Sequence, residues 1–121
     1  MRAFYEGACQ KLKTAHSLID EDPEAAYQIA YEAMLKASLA VILKQELRPR
    51  SQPGHHIAVI DMVGRIMGDD LSAQIKVFDE MRRHRNSFLY EPFGFVSLHE
   101  AKEALCIASN FVEAIKKKLQ I

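Results

Sequence analysis

Between Pro23 and Glu46 the chain reads as one long helix that is apolar almost all the way round. Ala26, Tyr27, Ile29, Ala30, Ala33, Met34, Ala37, Leu39, Ala40, Val41 and Leu43 leave a narrow polar stripe through Gln28, Glu32 and Lys36. A helix with that circumference has to be covered on several sides by other elements. Its alanines let those neighbours come close. Glu32 and Lys36 are four apart, the spacing of an exposed ion pair that contributes about 0.2–0.5 kcal/mol. The most apolar part, Ile29 to Leu43, holds the same two charges and falls short of a membrane span.

The rest of the chain supplies the cover. Tyr5, Ala8, Leu12, Ala15 and Ile19 recur at spacings of three and four, so a helix over about Arg2 to Ile19 carries one apolar face. Asp22 before Pro23 is an N-cap followed by proline at the first helical position. Arg48 to Gly54 holds two prolines and a glycine and reads as loop. A shorter helix is expected from about His55 to Met67. Gly68-Asp69-Asp70 is a stop and a new start, and a fourth helix runs from about Leu71 to near Phe88. Glu91 to Phe95 interrupts again. Ser97-Leu98-His99-Glu100 is a capping box. Leu98, Ala101, Leu105, Ala108, Val112, Ile115 and Leu119 then form a seam that must face other helices. Lys116 to Lys118 suit the negative end of that helix. No segment shows sustained period-two alternation. The expected architecture is all-α: one domain over residues 1–121, an up-and-down four-helix bundle with an additional short helix.

Composition narrows the function. Sixteen Lys and Arg balance sixteen Asp and Glu in 121 residues, which argues against a general DNA-coating protein but leaves room for a local basic patch. Cys9 and Cys106 stand far apart, make no C-x-x-C pair, and read as small apolar helix residues. No apolar run at the N-terminus is long enough for a signal peptide, so a cytoplasmic protein is expected. His55 and His56 are adjacent, His16 and His99 read as surface residues, and no H-x-x-x-H spacing exists, so no metal and no cofactor are expected.

The chemistry concentrates near the end of the fourth helix. Arg82, Arg83, His84 and Arg85 are consecutive, with Asn86 next and Tyr90 one turn beyond it. Arginine's planar fork donates two parallel hydrogen bonds to phosphate, and a tyrosine ring offers a face on which a base can stack. The same residues also suit an ordinary helix end, where cations are favoured and Asp79 and Glu80 can pair with Arg83 and His84.

In three places the chain resembles the HEPN domain, the "higher eukaryotes and prokaryotes nucleotide-binding" helical bundle. One is the alanine-rich second helix with its spaced aromatics, Ala26-Tyr27 and Tyr31 to Met34. Another is Pro53-Gly54-His55-His56 at the start of the third helix. The most specific is Arg85-Asn86-Ser87-Phe88-Leu89-Tyr90, followed by the capped last helix with Glu100-Ala101 and Ala108 to Val112. The resemblance implies a bundle that commonly forms two-fold dimers. Many such domains are ribonucleases, often toxins paired with a small nucleotidyltransferase. Their motif is an Arg, often with Asn or another polar residue after it, and then a His after a gap of four to six residues. Arg85 and Asn86 match the first part. Tyr90 stands where the histidine belongs, and a phenol with a pKa near 10 is a poor base at neutral pH.

The function expected is therefore a dimeric nucleotide-, RNA- or partner-binding domain of a nucleotidyltransferase-associated system, with Arg82, Arg85, Asn86, Tyr90 and His56 as ligand-binding residues. The alternatives are an active ribonuclease toxin, with Arg85, Asn86 and Tyr90 in the catalytic roles, and a plain helical adaptor.

Overall fold

A computed structural model of the chain describes residues 1–47, 55–87 and 96–121. Five α-helices account for most of them: α1 (Arg2–Leu18), α2 (Pro23–Lys44), α3 (His55–Met67), α4 (Ser72–Ser87) and α5 (Leu98–Leu119), with a 3-10 turn at Asp69–Leu71 between α3 and α4. Among the described residues there is no strand. The all-α bundle with a shorter third helix is as the sequence pattern predicts. The expected loops at Arg48 to Gly54 and Glu91 to Phe95 lie outside the described residues.

Local chemistry sets the boundaries. The Asp22 side chain accepts from the Ala25 amide at 3.1 Å, and Pro23 opens α2 with its φ already helical. At the other end Glu46 adopts φ 61°, and the Glu46 and Leu47 amides donate back to the carbonyls of Leu43 and Ile42. This is the left-handed helix stop that glycine usually fills. After α3 the chain turns at Gly68, whose φ 78° and ψ −171° are a backbone conformation that glycine adopts readily. At α5 the Glu100 amide donates to Ser97 Oγ at 3.1 Å. The Glu100 carboxylate meets the same hydroxyl rather than the backbone, at 3.4 Å.

α2 is the central element. It packs most extensively on α1 and α5, and also on α3 and α4. Eleven of its residues are buried, including Ala30, Ala33, Ala37 and Ala40. Its buried Ser38 is satisfied within the helix, donating to the Met34 carbonyl at 2.7 Å. Rings then link three helices: Tyr31 of α2 lies 5.5 Å from Phe78 of α4, which lies 5.6 Å from Phe111 of α5. Where α2 and α5 end together, Lys44 donates to the Leu119 carbonyl at 2.8 Å. Among the described residues no helix is long and apolar enough to cross a membrane.

Three expectations need correction. Glu32 pairs with Lys11 of α1 at 3.2 Å, not with Lys36, which lies over the Phe4 ring. The polar stripe of α2 faces α1 rather than open solvent, and a partner across the seam competes with the one four residues on. Gly7 allows the approach, since a Cβ there would meet the Lys36 chain at 3.3 Å. Leu98 is exposed although it continues the α5 seam, because it lies in the first turn at the bundle's end. Cys106 is likewise exposed, while Cys9 is half-buried.

Candidate functional site

The end of α4 brings two of its three arginines within reach of one carboxylate. Asp79 accepts from Arg82 Nε at 3.0 Å and from Arg83 Nη2 at 2.6 Å, the pairings that i,i+3 and i,i+4 spacing favours. The expected partner of Arg83 is thus Asp79, while His84 packs edge-on against the Tyr27 ring, 5.4 Å away. Arg85 follows a different course. Its guanidinium carbon sits 5.6 Å from the centre of the Tyr31 ring, within cation–π range. Its Nε is buried without a hydrogen-bond partner among the described residues. Buried guanidinium N–H groups are ordinarily satisfied, so this donor marks a place suited to an acceptor.

Tyr31 joins Arg85 to α3. Its side chain is fully buried, and its hydroxyl lies 2.9 Å from His56 Nδ1, in the first turn of that helix. Burial pushes the Tyr31 phenol up to about 12; Arg85 and Arg82 pull it the other way, and Asp79 adds to the rise. His56 is held below its ordinary pKa, first by burial and then by the charges of Arg85, His55 and Arg82. At neutral pH the pair is a protonated phenol beside a neutral imidazole.

These side chains border a cavity of about 300 Å³ between α1, α2, α3 and α4. Lys11, Lys36, Arg85 and His56 give it a polar side, and Phe4, Leu35 and Leu39 an apolar one. Glu32 also lines it, bound to Lys11. The lining therefore carries three cations against one carboxylate, an arrangement that attracts anions. A larger groove of about 550 Å³ runs between α4 and α5. It is lined by Glu80, Glu100 and Glu103 with Arg83, and repels what the smaller cavity attracts. Among the described residues no group of three or more His, Cys, Asp or Glu could hold a metal ion.

A family model for the HEPN domain matches residues 1–119. The chain belongs to the HEPN domain family. Among curated proteins compared with it, none matches. The match spans the five described helices of this HEPN domain, and so every element that borders the cavity.

The residues singled out from the sequence separate in space. Arg85 and His56 line the same cavity, though 29 positions apart. Arg82 is half-buried and tied to Asp79; its charge is felt at Tyr31 and His56. Asn86 is exposed at the end of α4. Tyr90 lies outside the described residues. Tyr31, Lys11 and Lys36 are the additions the sequence reading missed. Only Tyr31 carried a signal, as one of the two tyrosines in an otherwise alanine-rich helix.

Proposed function

We propose that this HEPN domain binds the phosphate of a nucleotide or RNA in the cavity headed by Arg85. One observation carries the reading: Arg82 and Arg83 share the Asp79 carboxylate, whereas Arg85 lies half-buried in a cation-rich cavity with a buried Nε that has no hydrogen-bond partner among the described residues. Membership of the family supports a nucleotide- or RNA-related role. Calorimetric titration with mononucleotides and short RNAs tests it. A hydrogen bond to a charged group contributes about 1.5–3 kcal/mol, so Arg85→Ala should weaken binding at least about ten-fold. Equal affinity in the variant would remove Arg85 from the site.

The same reading takes residues 1–121 as one cytoplasmic domain, working as a two-fold dimer with a minimal nucleotidyltransferase as partner. Light scattering should then return twice the 13.7 kDa of the chain. A ribonuclease is the second reading, favoured by His56, an imidazole in the same cavity as Arg85. Binding is preferred because the Nδ1 of that imidazole is already engaged by Tyr31. Cleavage of RNA by the wild type and not by Arg85→Ala would reverse the preference.

A further inference from the structure

Tyr31, His56 and Arg85 come from three helices and meet at one wall of the cavity. A fully buried phenol must direct its hydroxyl hydrogen to an acceptor. Arginine offers none, so neither Arg85 nor Arg82 can take it. His56 Nδ1 lies 2.9 Å away and can. A neutral imidazole that accepts at Nδ1 carries its proton on Nε2. The ring lining the cavity therefore keeps Nε2–H as its remaining donor, and Arg85, whose buried Nε has no hydrogen-bond partner among the described residues, lines the same cavity. Both groups are donors, which suits an anion.

We propose that Tyr31 holds His56 in the Nε2–H form, and that His56 and Arg85 together grip the terminal phosphate of a single nucleotide unit, free or at the end of an RNA strand. The inference rests on the phosphate-binding reading of the cavity and adds its second donor, its positioning residue and its ligand class. Charge selects the terminal group: Lys11, Lys36 and Arg85 against Glu32 leave two positive charges in excess. A phosphomonoester carries about 1.5–2 negative charges at pH 7, whereas an internal diester carries one. Size selects a single unit, since about 300 Å³ is at the lower end of the range for small-molecule sites.

Two measurements test the proposal. Nitrogen-15 NMR of the wild-type imidazoles should show His56 with its proton on Nε2, and Tyr31→Phe should give a mixture of tautomers. Calorimetry should show adenosine 5′-monophosphate binding and adenosine not binding. A short RNA should bind more tightly with a terminal phosphate than without one. Tyr31→Phe and His56→Ala should each weaken adenosine 5′-monophosphate about ten-fold, and His56→Gln, which keeps an N–H donor, should lose less. Wild-type His56 protonated on Nδ1 would overturn the proposal. If binding requires Arg85 but is unchanged in Tyr31→Phe and His56→Ala, the phosphate reading stands and this inference fails. Equal affinity for RNA with and without the terminal phosphate removes the ligand class. No binding of any of these probes by the wild type overturns both readings.

Discussion

Asp79 reaches Arg82 and Arg83 because they lie one turn further along the same side of α4, whereas Arg85, six residues on, is rotated by about 240°. Arg85 meets α2 instead, and the Tyr31 ring receives it. The charges there have consequences for stability. His56 has a folded-state pKa below its unfolded value of 6.5, so its contribution is complete above that pH and declines as pH falls below it. Tyr31 has a folded-state pKa raised from 10.0 to about 12, so its contribution is complete below pH 10 and is lost as pH rises through 12. Chemical denaturation across pH should therefore show wild-type stability falling below about pH 6.5, less steeply in His56→Gln. It should also fall from pH 10 to 12, less steeply in Tyr31→Phe, with Tyr27 supplying a further alkaline loss. Arg85 was legible in the sequence because the Arg-Asn pair sits in its motif position. The partnership of Tyr31 with His56 was not, since it joins positions 25 apart and one of them lies in a helix whose faces are nearly all apolar. Lys11 escaped for a related reason: local spacing offered Glu32 a different partner in Lys36.

At the scale of the helix, start and stop chemistry was the most readable part of the chain. Asp22-Pro23, Gly68 and Ser97 each mark a boundary that the fold uses. Glu46 is the exception, because nothing in its side chain announces a left-handed backbone. Ser97→Ala should lower stability by about 1 kcal/mol through loss of the α5 cap, measured by urea unfolding. The alanines of α2 set how close its neighbours come. Ala37 is fully buried, and Ala37→Leu should destabilise the fold by about 1–3 kcal/mol through overpacking. A value near zero in the same unfolding series would mean that the α2 seam has room which the structure denies it.

For the molecule as a whole, the all-round apolar helix decided the architecture: covering it takes helices on several sides, and α1, α5, α3 and α4 provide them. Periodicity shows which face each helix buries but not which helix it meets, so the cavity between α1, α2, α3 and α4 was not legible. A balanced net charge likewise hid a local excess of cations. If the rings of Tyr31, Phe78 and Phe111 tie α2, α4 and α5 into one core, urea unfolding should be a single transition followed alike by circular dichroism and tyrosine fluorescence. The central claim is that phosphate is bound at Arg85, and NMR mapping of adenosine 5′-monophosphate on the wild-type protein tests it most directly. The expected result is movement of the Arg85 Nε–H and His56 ring signals with adenosine 5′-monophosphate and not with adenosine. Shifts confined to the acidic groove between α4 and α5, or none at either residue, would contradict it.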